Sequence, residues 1–251
     1  MLDFWPVYKR ELKTYFQSPS TYVVVALFFL IVGSIFQDIM VAFSNWSLQS
    51  QSGGMFGQQT NAPNVTEIVI RQIFQLMGSL ILFTIPILSM RLVAEEKNKG
   101  TFELLVSCPI GDWSILLGKY LALVTVGLAI TALAGLYPIV TWWAGHSGGS
   151  VPEWPVVISC GIGLVLIFSA YAAFGLMASA FTDNQMTAAI ITLIGLLFWQ
   201  IIGGFQMADM PIVRDIVSEL SAFNHSENFI KGVLTVKDIL YYILTSFLFL
   251  F

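Results

Sequence analysis

The stretch of the chain best suited to chemistry is polar and lies between two long apolar runs. It combines carboxylates, which bind basic groups, with apolar side chains that can fill a groove on another protein. We expect the helix of the preceding apolar run to continue through Glu95 and Glu96 and to end at Gly100, a residue type that ends helices. A new short helix should follow, because Thr101 is of the type that begins helices. The candidate docking residues are Glu95, Glu96, Gly100, Thr101, Phe102, Glu103, Leu104 and Leu105. The pattern predicts a docking surface, while a plain solvated connector explains the composition equally well.

A second patterned stretch, residues 206–238, follows the fifth apolar run of the chain. Pro211 suits the first turn of a helix, and after it apolar residues recur at helical spacing with charged residues opposite. The apolar face is formed by Ile212, Val213, Ile216, Val217, Leu220 and Phe223. We expect a second turn around Phe229 that ends at Gly232, and we expect His225 to bond only within that turn. The pattern therefore predicts short amphipathic helices.

The sequence shows no pattern typical of an enzyme, a metal site or a nucleotide site. Cys108 and Cys160 lack zinc-type spacing, and His146 and His225 are isolated. The nearest approach to a phosphate-binding loop, just before Lys119, has the wrong spacing and lacks the hydroxyl that binds magnesium. We therefore expect no catalytic residue, no metal and no cofactor. If ATP drives this protein, another chain must bind it.

The composition places these stretches in a membrane protein. Of the 251 residues, 57% are hydrophobic and 10% are charged, whereas about a quarter of the residues in a soluble domain are charged. The mean hydropathy is +0.80. A net charge of −4 offers no basic surface for nucleic acid. The fourth and fifth apolar runs contain no charged residue, which disfavours an ion-coupled pump.

Five apolar runs are long enough to cross a bilayer as helices, which requires roughly 20 residues. They cover residues 22–41, 68–90, 116–143, 156–181 and 186–205. A sixth run begins at Ile239 and is incomplete where the sequence ends at Phe251. All six runs are apolar on every face, unlike the strands of a barrel. We predict an all-α polytopic membrane protein in which residues 1–251 form a single domain with six transmembrane helices.

Basic residues predict the orientation of the chain in the membrane. Seven of the eleven Lys and Arg residues lie before the first run or within residues 91–119, which predicts a cytoplasmic N-terminus and an external segment at residues 206–238. Residues 1–19 place Trp5, Tyr8, Leu12, Tyr15 and Phe16 on one helical face and Lys9, Arg10 and Lys13 on the other. This pattern predicts an interfacial helix lying on membrane lipid. A basic flank with aromatic anchors is the alternative.

At the docking stretch the sequence resembles the permease subunits of type II ABC exporters. The matching residues are Glu95, Glu96, Gly100, Thr101, Glu103, Leu104, Leu105, Ser107, Pro109 and Lys119. A second set is similar to the permeases of the branch associated with gliding motility. This set comprises Leu220, Ser221, Asn224, His225, Phe229, Gly232, Asp238, Tyr241 and Tyr242. The chain departs from the pattern in its long uncharged first external loop, which precedes the second run.

The resemblance implies a transmembrane subunit in a bacterial cytoplasmic (inner) membrane. In that family a coupling helix, here within residues 91–115, sits in a groove of a separate ATPase subunit. Two permease chains, identical or related, pair around a central path and move a substrate by alternating access. The segment at residues 206–238 then forms an external gate, while a helix resting on the outer leaflet is the alternative. A non-transporting scaffold that transmits ATPase-driven changes to an envelope or gliding machine remains the rival hypothesis.

Overall fold

The computed structural model describes residues 4–52, 64–101, 111–145, 151–202 and 219–251. These ranges contain helices and turns and no strand, which confirms the all-α prediction for them. The elements are α1 (Phe4–Gln17), α2 (Pro19–Ser52), a π-helical turn (Thr66–Ile70), α3 (Arg71–Ser89), α4 (Ala94–Asn98), α5 (Asp112–Ala134), α6 (Leu136–Gly145), α7 (Trp154–Ala180), α8 (Gln185–Ile201), α9 (Ala222–Ile230) and α10 (Val236–Leu250).

Four helical stretches are long and apolar enough to cross a membrane. They are Pro19–Leu48, Thr66–Asn98, Asp112–Gly145 and Trp154–Ala180. They correspond to the first four predicted runs. The fifth and sixth runs contain α8, with 17 residues, and α10, with 15 residues, both shorter than the other four. The structure therefore confirms a multi-helix membrane architecture with four long apolar helices.

Helix α7 lies at the centre of the bundle and packs against α3, α5, α8, α9 and α10. Its small side chains make this possible, because they let neighbouring backbones approach closely. Ala170, Ala172 and Ala173 are fully buried. A Cβ atom on Gly175 would lie 2.5 Å from the Ser89 hydroxyl oxygen, so only glycine allows α3 to cross there. The small-residue pattern of the fourth run therefore serves packing within this chain.

Helix α2 stands at the edge of the bundle. Only 11% of the residues in its most apolar stretch are buried, compared with 61% for α7. Phe28 and Val32 are its buried apolar residues, and its main contacts are with α3. Most of its surface is therefore available to lipid or to another membrane chain.

Two helix boundaries differ from the sequence prediction. The helix leaving the membrane does not continue through Glu95 and Glu96, because the chain turns at residues 90–93 and α4 begins anew at Ala94. The helix predicted to start at Pro211 cannot run on to Phe223 either, since Ser221 is non-helical and its hydroxyl caps α9. The predicted ends at Gly100 and Gly232 are confirmed. Both glycines adopt positive φ angles, 67° and 83°, which suit this residue type.

The packing of α5 on α7 yields a stability prediction. A Cβ atom on Gly127 would lie 2.3 Å from a ring carbon of Phe168, which is buried. We expect Gly127→Ala to lower the free energy of unfolding by about 1–3 kcal/mol, since the crowded ring must move. Gly78→Ala is the matched control, because nothing lies within 4 Å of a Cβ there. Thermal unfolding in detergent measures both variants, and equal midpoints would contradict the packing argument.

Candidate functional site

The first candidate site begins with α1, which is docked on α5 rather than lying only on lipid. Val7, Glu11 and Tyr15 recur at four-residue spacing and are the buried residues of α1. Gly118 permits this approach, since a Cβ there would lie 2.9 Å from Val7. Trp5 remains 61% exposed, so part of the aromatic face is free to contact lipid. The sequence analysis missed the buried role of Glu11.

Four charged side chains form a compact cluster at this junction, which we call the ion cluster: Arg10, Glu11, Glu96 and Lys119. The Lys119 ammonium lies 3.0 Å from a Glu11 carboxylate oxygen and 2.8 Å from a Glu96 oxygen. Arg10 donates to both carboxylates, at 2.8 Å and 2.7 Å respectively. The Lys119 side chain is only 2% exposed. The ion cluster therefore joins α1, α4 and α5 through one buried cation.

The carboxylates of the ion cluster favour the charged form of Arg10. Burial acts to lower the pKa of Arg10, but its hydrogen bonds and charge interactions with Glu11 and Glu96 outweigh burial and hold that pKa above its ordinary value. A buried cation that loses its partners destabilises the folded state, whereas in the complete cluster two cations balance two carboxylates. The three elements therefore stay together unless a charge is removed.

Helix α4 is also held by the C-terminal end of α7. The buried Ser179 hydroxyl of α7 accepts hydrogen bonds from the backbone N–H groups of Val93 and Ala94, at 3.2 Å and 3.0 Å. It thereby caps a helix that belongs to a different part of the chain. Lys97 donates to the Ala180 carbonyl oxygen at 2.6 Å. These contacts explain why the chain starts a new helix at Ala94.

The predicted docking residues are only partly within the described ranges. Glu96 belongs to the ion cluster, with its side chain 19% exposed. Glu95 pairs with Lys99 at 2.6 Å and lies 3.9 Å from Arg91. Gly100 and Thr101 are exposed beside these residues. Phe102, Glu103, Leu104 and Leu105 lie outside the described residues.

A cleft of about 320 Å³ separates α1 from residues 91–101. Its lining includes Thr14, Arg91 and Lys99, besides three members of the ion cluster. Arg91 crosses between the two walls and donates to the hydroxyl oxygens of Ser18 and Ser20, at 2.8 Å and 2.5 Å. The docking stretch is thus connected to both α1 and the start of α2.

At the opposite end of the bundle, α9 packs against α7, with further contacts to α8, α10 and α3. Its buried residues are Ala222, His225 and Phe229. Leu220 and Phe223 are 54% and 40% exposed, so the two described members of the predicted apolar face do not form the buried side. The other predicted gate residues, Ile212, Val213, Ile216 and Val217, lie outside the described residues.

The prediction that His225 bonds only within its own turn is wrong. Its Nδ1 atom lies 2.5 Å from a carboxylate oxygen of Asp238 on α10, and its Nε2 atom lies 3.0 Å from the backbone carbonyl oxygen of Glu219. The imidazole also stacks on Tyr241, with ring centroids 4.0 Å apart. The sequence could not predict this partner, because His225 is surrounded by polar residues and belongs to no periodic pattern that indicates contact with another helix.

Hydrogen bonds anchor the backbone just before α9 to two other helices. The Leu220 carbonyl oxygen accepts from the Trp199 indole at 3.0 Å and from the Tyr241 hydroxyl at 2.7 Å. The Tyr242 hydroxyl donates to the Ala222 carbonyl oxygen at 2.7 Å. The backbone at residues 220–222 is thus attached to the helix bundle.

A polar stripe follows one exposed face of α3. Gln72, Gln75 and Ser79 are exposed along this face. Gln75 and Ser79 line a cavity of about 30 Å³ together with Gln200 of α8 and Phe223 of the external segment. The Gln200 amide oxygen accepts from the buried Tyr171 hydroxyl at 2.6 Å. Lipid tails cannot form hydrogen bonds with such amides, so water or another protein chain suits this face better.

Across the ranges that the structure describes, no group of three or more His, Cys, Asp or Glu side chains is placed to hold a metal ion. A comparison with known protein families identifies the class of protein to which the chain belongs. The family model for the ABC-2 family transporter protein matches residues 5–251. The chain belongs to this family. No curated protein matches the chain.

Membership of the ABC-2 family makes the chain a multi-pass membrane permease subunit of an ABC transporter. Transporters of this type include an ATPase, and their permease subunits are generally non-catalytic. This agrees with a site built from ion pairs and helix caps. The described arrangement can hold helices in register and transmit a displacement between them.

The ion cluster predicts different outcomes for two lysines. We expect Lys119→Met to lower the free energy of unfolding by about 3 kcal/mol, because it removes the buried cation that pairs with Glu11 and Glu96. Lys99→Met is the matched control, since Lys99 pairs with Glu95 but its side chain is 63% exposed. Loss of that exposed pair should change the free energy by less than about 1 kcal/mol. Thermal unfolding in detergent measures both, and similar losses would refute the role of burial.

Proposed function

We propose that this chain is the transmembrane subunit of an ATP-driven exporter that pairs with a separate ATPase subunit. The observation that carries the proposal is the ion cluster, which joins the docking stretch to a membrane-spanning helix through the buried Lys119. A displacement of α4 by a bound ATPase must move α1 and α5 as well, or break buried ion pairs. Breaking such pairs is costly, so the elements move together.

The proposed docking surface comprises Glu95, Thr101 and the coupling helix that includes Phe102, Glu103, Leu104 and Leu105. Glu95 and Glu103 supply negative charge for a basic rim on the ATPase, and the apolar residues fill its groove. Glu96 has a different role in this scheme, because its carboxylate binds Arg10 and Lys119. Through these two ion pairs, Glu96 transmits a displacement of α4 to α1 and α5.

The polar stripe on α3 supports the transport role. We infer that this face borders a central path completed by a second permease chain, identical or related. Glutamine side chains are costly against hydrocarbon, and Gln75 and Ser79 face outward from this chain. The scaffold hypothesis leaves this polar surface without a role. Movement through the path follows as a shift between two packings of rigid helices.

We propose that the external segment, residues 206–238, gates this path. Phe223 and Ser226 line the same cavity as Gln75, which supports a position over the outer end of the polar stripe. Ile212, Val213, Ile216 and Val217 complete the gate in this scheme. Resting on the outer leaflet is less consistent with the hydrogen bonds from Trp199 and Tyr241 to the segment.

The finer placement of the subunit follows from the same proposal. The sixth span is formed by α10, the N-terminus is cytoplasmic, and the membrane is the bacterial inner membrane. We assign the chain to the branch associated with gliding motility. His225, Asp238, Tyr241 and Tyr242, which carry that resemblance, all contribute hydrogen bonds around the start of α9.

The docking proposal predicts that Glu95→Ala combined with Glu103→Ala weakens ATPase binding without unfolding the permease. We expect several-fold less ATPase to co-purify, while permease yield is unchanged, because an exposed ion pair contributes only about 0–1 kcal/mol to stability. Glu67→Ala combined with Glu227→Ala is the control, since both carboxylates also form exposed pairs with a residue four positions later. Normal co-purification and normal transport-linked ATP hydrolysis in the docking variant would exclude this surface.

The topology predicts opposite labelling of two thiols in intact cells. In a Cys160→Ala background, an impermeant maleimide should react with Ser52→Cys at the outer end of α2 and spare Cys108. Permeabilised cells provide the control, because Cys108 should then become reactive. Labelling of Cys108 before permeabilisation would reverse the proposed orientation.

A further inference from the structure

The hydrogen bonds of His225 set the number of protons that its site must hold. Its Nε2 atom faces the backbone carbonyl oxygen of Glu219 at 3.0 Å. A carbonyl oxygen can only accept, so Nε2 must carry a hydrogen to make this bond. Its Nδ1 atom faces a carboxylate oxygen of Asp238 at 2.5 Å, where a second proton is required between the two atoms. Both ring nitrogens therefore have acceptor partners.

The surroundings of Asp238 favour its carboxylate form. Its second oxygen accepts hydrogen bonds from the Asn228 amide, at 2.9 Å, and from the Thr235 hydroxyl. A carboxylate is an acceptor at both oxygens, so three donors including His225 satisfy it. The second proton is thus best placed on His225, as an imidazolium. Asp238 is 1% exposed and His225 is 5% exposed, so water does not readily replace these bonds.

Other titratable groups approach this pair from the neighbouring elements. Tyr241 of α10 stacks on the imidazole. The Glu219 carboxylate binds Lys237 at 2.6 Å, and that hydrogen bond, together with the positive charges of Lys237 and His225, lowers the pKa of Glu219. Arg71 of α3 reaches the far end of α9 at the Lys231 carbonyl. Cys160 of α7 donates to the Phe229 carbonyl oxygen.

We propose that His225 and Asp238 form a proton-dependent latch that holds the backbone at Glu219 and the start of α9 on α10. With both ring nitrogens protonated, His225 ties the backbone at Glu219 to α10 through Asp238. The adjacent Leu220 carbonyl is already bound by Trp199 and Tyr241, so the latch completes the attachment of this segment. The regulatory part rests on the proposed gate function, whereas the proton count rests on the described geometry alone.

The direction of the pH effect follows from the hydrogen bonds. When the pair loses one proton, the neutral imidazole has a single N–H group for two acceptors. One bond must then be lost, and a ring lone pair faces either the carbonyl oxygen or the carboxylate. Stabilisation by the latch is therefore full at low external pH, where the pair keeps both protons, and is lost as the pH rises and the pair releases one of them.

Nitrogen NMR of the full chain in lipid nanodiscs tests the proton count directly. The sequence contains two histidines, so His146→Gln leaves His225 as the single labelled imidazole. With ¹⁵N-histidine we expect both ring nitrogens to be protonated at low pH, and one to lose its proton as the pH rises. A neutral ring with one protonated nitrogen throughout the range would overturn the latch.

Hydrogen exchange at residues 219–223 tests the mechanical consequence. After correction for the intrinsic effect of pH, we expect exchange in the unmodified chain to rise by at most about tenfold per pH unit while the proton is being released, and to level off above that range. His225→Gln and Asp238→Asn should exchange rapidly at every pH. Lys237→Gln is the control, because it removes the neighbouring exposed ion pair and should keep the pH dependence.

The two measurements need neither an ATPase nor a substrate. Exchange in the unmodified chain that does not depend on pH refutes the latch even if a variant fails to fold, and it leaves the exporter proposal standing. A confirmed latch in a chain that binds no ATPase would instead refute the exporter proposal alone.

Discussion

The architecture depends on how closely helices approach the small face of α7. Hydrophobic burial drives little association within a bilayer, because lipid tails are as apolar as the helices. Close contact must replace it, and the alanine and glycine residues of α7 provide that contact. Phe229 rests on Gly163 and Ser89 rests on Gly175, so α9 and the C-terminal end of α3 are both positioned by the same helix.

Polar contacts then fix the two ends of this apolar bundle. At one end Ser179 caps α4 and Lys119 gathers two carboxylates. At the other end, the Tyr242 hydroxyl of α10 donates to the Ala222 carbonyl oxygen of α9, and His225 of α9 binds the Asp238 carboxylate of α10. Helix α7 contacts both regions, which gives a continuous protein route between them. A route of packed helices allows coupling, although coupling itself requires two discrete arrangements.

The sequence predicted the features that depend on local properties. Apolar length located the four long helices, and residue type located the helix ends at Gly100 and Gly232. It did not predict the partners of buried charges. Glu11 binds Lys119 from 108 positions away, and His225 binds Asp238 from 13 positions away on another helix. Hydropathy sorts charged residues onto exposed faces, so it is least informative where tertiary structure buries a charge with its counterion.

The length of α2 has a consequence for how far the chain reaches from the bilayer. Its 34 residues correspond to about 51 Å of helix, whereas the hydrocarbon core is about 30 Å thick. The sequence becomes polar after Phe43, and Trp46 is of the residue type that settles at the membrane interface. The final nine residues, 44–52, add about 13 Å. Helix α2 is thus longer than the hydrocarbon core requires, and its polar C-terminal turns add length beyond the part that lipid tails can cover.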